Sequence, residues 1–462
     1  MFDIAQPIAP SRRAILRTAA TGMTCAVMGA PLLARAPREV LITDHGAVGD
    51  GATVNTRAIQ RAIDACAAAG GGTIVIPAGV FVSGSLFLKP GVHLALRKDA
   101  VLKGSTDLAD YPLTLRRFVE VQPEALRWAL INARGAHGLR ITGPGMIDGS
   151  GSPFWHRFFE MKPEFYAGTE VKYHLPQLCF IQDCDDVAIA GVHFRDPAFW
   201  NVHFYRCRKV LVEDCRFDVP HKIRAPSSDG TDLDSCQDVT IRRCHYSVDD
   251  DSIVFKGTQG RHARAFTEAP PVERVHVHDC TFEAGLGAIV FGTNATTVRD
   301  IRVENCDCSG DQPLVRFKLR PDTPGQLYER IRVKGVRLHE RPQGIWHGGE
   351  IFYGAPPPLG PDQGDGPVEG LIVTVEPDHG IKVPPSPPAH VIRDLVIEDV
   401  TGTTRGFGDL TTTKLTRVSD VTLRRIDVTV TDRDRAALLA KGVRGLRVSD
   451  VRVNGQPLSV IR

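Results

Sequence analysis

The polar and apolar positions along the chain fall into two regimes. Near the start, one stretch carries a helical period: Ala58, Ile59, Ala62, Ile63 and Cys66 share one face. Asn55 or Thr56 can cap this helix, which is predicted to run to about Ala69 and to end at Gly70 to Gly72. A continuous strand, Thr73 to Ile76, follows. Beyond it the helical period vanishes. Short runs with a period of two recur every ~20 to 35 residues: "LRITG", "VAIAGVHF", "VLVEDCRF", "VTIRRCHY", "VHVHDCTF", "IRVENCDC", "IRVKGVRL", "LVIEDVTG", "VTLRRIDV" and "LRVSDVRV". Each is followed by a Gly, Asn or Asp turn, as expected of short strands.

Persistent repeats of this length describe a solenoid. A propeller needs about four strands per repeat, and here there are two or three. Horseshoe repeats need a leucine and asparagine ladder, which is missing. The expected fold is all-β, a right-handed parallel β-helix, with the N-terminal helix capping one end of its core and blocking edge pairing. A solenoid also suits 462 residues, because each coil buries surface only against its neighbours. One Pro- and Gly-rich stretch, "FYGAPPPLGPDQGDGPVEGLIVTVEPDHGIKVPPSPPAH", breaks the rhythm and reads as a long excursion from the wall.

Cysteine sharpens this picture. Four of the eleven cysteines share one repeat context (Cys215, Cys244, Cys280, Cys306) and three share another (Cys184, Cys207, Cys236). Equivalent positions of successive coils stack, so these are expected to form interior ladders of small apolar side chains rather than disulfides. The CxxC pair of a metal cluster does not occur. Net charge is only +2, which argues against a nucleic-acid-coating protein.

Residues 1–36 read as a twin-arginine export signal: Arg12 and Arg13, a short apolar stretch from Ala19 to Leu33, then Ala34-Arg35-Ala36. The stretch is too short and weakly apolar to span a membrane. Residues 37–462 are then one exported β-helix domain, periplasmic or extracellular, and expected to be a monomer.

The candidate chemistry lies in "SVDDDSIVFKG", where Asp249, Asp250 and Asp251 interrupt an apolar run. Inward aspartates in an apolar core are costly unless paired, so the acids are expected at a corner or an irregular bend. One coil earlier, "SSDGTDLDSC" brings Asp229, Asp232 and Asp234 close if the coils stack in register. Three readings of such a cluster stand side by side. It can be a calcium site, although the spacing of a dedicated calcium loop is missing. It can be a solvated acidic face. It can be an acid/base pair whose pKa values are split by proximity, as glycoside hydrolysis needs. Downstream, "LVRFKLRPD" places Arg316 and Lys318 at i and i+2 on one side of a strand, two coils from the acids. That pair is either a solvated face or a clamp for an anionic sugar.

Taken together and in order, these motifs resemble family 28 glycoside hydrolases, the polygalacturonase group of pectin-degrading β-helix enzymes. The resemblance runs from "VLITDHGAVGDG" through "PAFWNVHF", "SSDGTDLDSC" and "VDDDSIVFKG" to "VRFKLRPD". The family's N-T-D motif falls on Ser227-Ser228-Asp229, its D-D pair on Asp250 and Asp251, and its R-x-K motif on Arg316 and Lys318. The resemblance implies inversion by single displacement, with Asp250 as general acid and with Asp229 and Asp251 holding and deprotonating water. It places Arg316 and Lys318 on the sugar, requires neither cofactor nor metal, and makes pectic polysaccharide the partner. Asp249 is left as an adjacent surface acid or a turn residue. One departure stands out: the family's His-Gly step reads Leu286-Gly287 here. An apolar wall at Leu286 suits a deoxy sugar better than galacturonate and implies a shift toward branched or rhamnose-containing pectin. The rival readings are a pectate lyase-like eliminase that uses the acids as calcium ligands, and a carbohydrate-binding β-helix whose active site has decayed.

Overall fold

The computed structural model describes residues 38–116, 124–155, 175–221, 225, 227–258, 263, 270–293, 297–340, 370–377 and 389–462. The predicted export signal, residues 1–36, lies outside them. Helix α1 spans Thr56–Ala68, and its buried face is the predicted one: Ala58, Ile59, Ala62, Ile63 and Cys66. Asn55 precedes it but makes no side-chain cap. Its amide instead ties the preceding loop, accepting from Val48 N (2.7 Å) and donating to Val48 O (2.9 Å) and Thr53 O (2.7 Å). The helix packs on the first coil, whose strands include Glu39–Leu41 and Gly72–Ile76.

The remainder is a right-handed parallel β-helix. Seven strands of one wall matter for the site: β1 Cys179–Gln182, β2 Val202–Tyr205, β3 Thr231–Asp234, β4 Asp251–Lys256, β5 Gly287–Gly292, β6 Val315–Lys318 and β7 Leu371–Glu376. Each pairs in parallel with the next in chain order. Strand β7 lies inside the Pro- and Gly-rich stretch that reads as an excursion. That expectation is corrected for residues 371–376: "LIVTVE" carries four β-branched residues in a row and takes its place in the wall, while the flanks 352–369 and 378–388 lie outside the described residues.

The interior is built by stacking like on like. Phe255, Phe291 and Phe317 stack at 4.8 and 4.7 Å, and Phe194, Phe217 and Tyr246 at 5.0 and 4.8 Å. Both cysteine ladders form as expected. Cys184, Cys207 and Cys236 are buried, as are Cys215, Cys244, Cys280 and Cys306, and all are free thiols. Their Sγ atoms donate to backbone carbonyls, for example Cys207 to Ile181 O at 3.2 Å and Cys236 to Phe204 O at 3.3 Å. Burial pushes the Cys207 thiol well above its ordinary pKa and keeps it unreactive. Denatured protein should therefore titrate with all ten cysteines of the described chain free without reductant. Several disulfides by intact mass would overturn the ladders.

The outer corners follow a second rule, which period-two reading does not reveal. Between paired strand positions each coil inserts one residue with positive φ. In one column these are Asp186, Lys209, Asp238, Arg274, Asp300, Arg330, Asp394 and Asp420, with φ from 51° to 59°. Acid and base alternate from Asp186 to Asp394, and Asp420 on the next coil ends the alternation. Arg274 reaches Asp238 at 2.6 Å, and Arg330 reaches Asp300 at 2.6 Å. The αL conformation costs Asp little but strains Lys and Arg, and the ion pairs across coils help to offset that strain.

Candidate active site

The site grows from the register of β3, β4, β5 and β6. Leu233, Phe255, Phe291 and Phe317 are in register and point into the core. Their neighbours therefore point out of the barrel: Asp232 and Asp234 from β3, Lys256 from β4, Arg316 and Lys318 from β6. Asp229 sits just before β3, and Asp251 opens β4 at the corner. Asp249 and Asp250 lie in the bend before it. The expected bend is there, and it brings all five predicted site residues together. One carboxylate oxygen from each of Asp229, Asp250 and Asp251 lies within 4.8 Å of the others.

The surroundings divide the charge. Asp251 meets both predicted cations: Lys318 Nζ bonds its Oδ2, and Arg316 Nη1 lies 3.5 Å from its Oδ1. Arg316 also forks onto Glu376 of β7, at 2.7 and 3.1 Å, and donates to the Leu286 carbonyl at 2.9 Å. It is 3% exposed, which overturns the solvated-face reading: the side chain leaves the core but is then covered. Gly287 makes the room. A Cβ there would clash with Val290 Cγ2 at 2.6 Å, with Arg316 Cδ and Asp251 Oδ1 in contact range at 3.4 Å.

Asp250 is half-buried. Its carboxylate accepts the backbone N–H groups of Ser227 (3.1 Å) and Asp251 (2.9 Å). Asp229 is buried. Burial, then repulsion from Asp250 and Asp232, holds its carboxyl well above the usual range, with Lys256 opposing. Burial likewise lifts Asp232 to about 7 against the pull of Lys256.

The structure overturns the reading of Asp249 as a surface acid or simple turn residue. It is 3% exposed. It accepts from His221 Nδ1 at 2.8 Å and from the Ala225 backbone N–H at 3.0 Å, while its own N–H donates to Ser228 Oγ at 3.1 Å. The bend turns it under the segment that carries Asp229, where an acid is needed to satisfy donors. Asp249→Ala should therefore cost about 1–3 kcal/mol in urea unfolding and lower turnover as well, since it leaves buried donors unpaired. Wild-type stability in that variant would show that the segment is held elsewhere.

Leu286 is 5% exposed and works through its backbone too: its N–H donates to Asp250 O at 3.0 Å, and its carbonyl takes the Arg316 bond. Three neighbours of these residues escape the sequence reading. Glu376 is hidden in the Pro- and Gly-rich stretch. Lys256 is legible afterwards, since it shares β4's outward parity with Val254. Trp200 has its ring centroid 4.0 Å from Lys256 Nζ, a contact between coils that alternation cannot show. A divalent cation fits this donor set poorly: the converging oxygens already face Lys256, Lys318 and Arg316.

Residues 66–346 match the model of glycosyl hydrolases family 28. The chain belongs to that family. Within family 28 the chain is similar to a probable polygalacturonase of Vitis vinifera, at 28% identity over 68% of this chain and 63% of the relative. It is also similar to an exo-poly-alpha-D-galacturonosidase of Dickeya chrysanthemi, at 29% identity over 63% of this chain and 53% of the relative. These matches thus span less than two thirds of either relative. Solved structures agree on the fold. An exopolygalacturonase from Thermotoga maritima superposes with a TM-score of 0.68 at 20% identity, covering 91% of this chain and 94% of that one. A polygalacturonase from Erwinia carotovora does so with 0.64 at 16% identity, covering 93% and 98%. Among the described residues no helix is long and apolar enough to cross a membrane.

Proposed function

We propose that this family 28 chain is an exported hydrolase that cleaves glycosidic bonds in pectic, uronate-containing polysaccharide. The observation that carries the reading is the convergence of Asp229, Asp250 and Asp251 within 4.8 Å beside the Lys318 ammonium. In this reading the half-buried Asp250 protonates the leaving glycosidic oxygen. Asp229 and Asp251 hold the water and take its proton as it attacks the anomeric carbon. Lys318, 9% exposed, meets the sugar carboxylate, and Arg316 fixes Asp251 while lining the cleavage point.

Inversion rests on the family resemblance and on the third acid, which gives the water two holders. The oxygen separation itself is shorter than the ~6.5–9.5 Å usual between inverting carboxyls, so the anomer of the first product, read by NMR, decides the point. The main test is a reducing-end assay on purified pectic polymers. New reducing ends should appear, without unsaturated product and undiminished by EDTA. A chelator-sensitive, unsaturated product would mean elimination, and no turnover at all would mean a binding module. Export is supported by Arg12 and Arg13; R12K/R13K should retain the chain in the cytoplasm.

The finer substrate follows from Leu286. Its buried apolar side chain, on a residue whose N–H bonds the Asp250 carbonyl, cannot satisfy a sugar hydroxyl, an omission worth about 1–3 kcal/mol. Faster cleavage of rhamnogalacturonan backbone than of homogalacturonan is therefore expected. Fast cleavage of homogalacturonan without that preference would make Leu286 a neutral replacement.

A further inference from the structure

Three cations surround the acids, and they are not equivalent. Arg316 and Lys318 serve Asp251 and Glu376. Lys256 serves the other side: its Nζ lies 3.3 Å from Asp229 Oδ2 and 3.3 Å from Asp232 Oδ1. Its side chain is 7% exposed and lies over the Trp200 ring. That ring is itself immobilised, stacked on Phe199 at 5.0 Å and packed with Leu126. The aromatic face favours an ammonium at that spot and blocks its swing toward solvent.

Asp232 is completely buried and cannot touch a sugar. Neither of its carboxylate oxygens has an aligned hydrogen bond among the described residues, and the Lys256 ammonium is the cation that faces it. One ammonium thus faces two buried carboxylates. With both ionised, one charge would stay uncompensated at high desolvation cost.

We propose that Asp229 and Asp232 share one proton and that Lys256, pinned by Trp200, is the positioning residue that lets Asp229 carry the negative charge. This rests on the reading of Asp229 as a water-activating acid. The upward displacement of both carboxyls agrees with a shared proton. For Lys256 burial works downward, but Asp232 and Asp229 outweigh it and hold the ammonium charged. The other charged groups facing the pair are Asp250 and Asp251 on the next coil, which push protons onto it. Asp234 lies opposite Lys256 in register and is occupied by His203 at 3.4 Å.

The test is the pH profile of kcat/KM on a pectic substrate, whose acid limb reports the base of the free enzyme. Lys256→Met removes the charge that favours ionised Asp229, so the limb should move up by more than about one pH unit. Lys256→Arg should restore part of the shift. Asp232→Asn should move the limb the other way, to lower pH, because Lys256 then serves Asp229 alone. A merely structural lysine would lower activity in these variants with the limb in place. Folded Lys256→Met and Asp232→Asn with unshifted limbs, or limbs shifted in the same direction, would overturn the assignment. If Lys256→Met does not fold, the near-isosteric Asp232→Asn decides alone by the direction of its shift. Turnover that survives Asp229→Asn overturns the catalytic reading itself, and this assignment with it.

Discussion

Asp250→Asn is expected to lower turnover on pectic substrate at least about 100-fold, the range for loss of a positioned general acid. Asparagine keeps the volume, and its carbonyl oxygen still accepts one of the two backbone N–H bonds from Ser227 and Asp251. The bend should hold and thermal unfolding should stay close to wild type. What disappears is the proton for the leaving oxygen. A substrate with a good leaving group, such as an aryl glycoside, should recover much of the loss, because its departure needs no protonation. Equal losses on both substrates would place the acid elsewhere. Asp229→Asn and Asp251→Asn should be comparably inactive on either substrate, since they act on the water.

Arg316→Ala is expected to fail twice. Removing the guanidinium leaves Asp251 to Lys318 alone and takes the partner from the half-buried Glu376 and the Leu286 carbonyl, which should cost about 1–3 kcal/mol of stability. It should also weaken transition-state binding by roughly 1.5–3 kcal/mol, the range for hydrogen bonds to charged groups, because Asp251 loses its orientation. Chemical denaturation and kcat/KM measured on the same preparation separate the two. Arg316→Lys should keep more stability than activity, as lysine supplies charge without the planar fork that spans Glu376 and Leu286. Stability unchanged in Arg316→Ala would show the observed ion pairs to be energetically idle.

Much of this was legible in the chain. The helix face from Ala58 to Cys66, the recurring strands, the cysteine contexts and the two-coil step from Asp250 to Arg316 are all periodic signals. A solenoid converts sequence period directly into spatial register, so the approach of the Asp229–Asp234 acids to Asp249–Asp251, with Arg316 and Lys318 two coils on, could be read from spacing; the choice of Asp229, Asp250 and Asp251 among the acids came from the family resemblance. What escaped depends on departures from the period. Asp249 turns inward because the coil bends there, and a bend removes the in/out rule that would have classified it. Glu376 lies in a single strand between Pro-rich flanks whose composition dominates the reading. Trp200 and Lys256 meet through side chains of different length on different coils. The positive-φ corner residues are extra residues between strand positions, and alternation skips over them.

That corner column has a consequence for how such a chain can change length. In shape, one coil is like the next, so the fold could lose or gain any single coil. In charge it is not: Asp186, Lys209, Asp238, Arg274, Asp300, Arg330 and Asp394 repeat only every second coil. Each coil therefore has a parity. Excising the coil of Arg274 would set Asp238 against Asp300, two like charges at adjacent strained corners, whereas excising the coils of Arg274 and Asp300 together would join Asp238 to Arg330 and keep the alternation. From Asp186 to Asp394, only length changes in steps of two keep acid against base; beyond it, Asp394 and Asp420 show the one place among the described residues where the column sets like beside like.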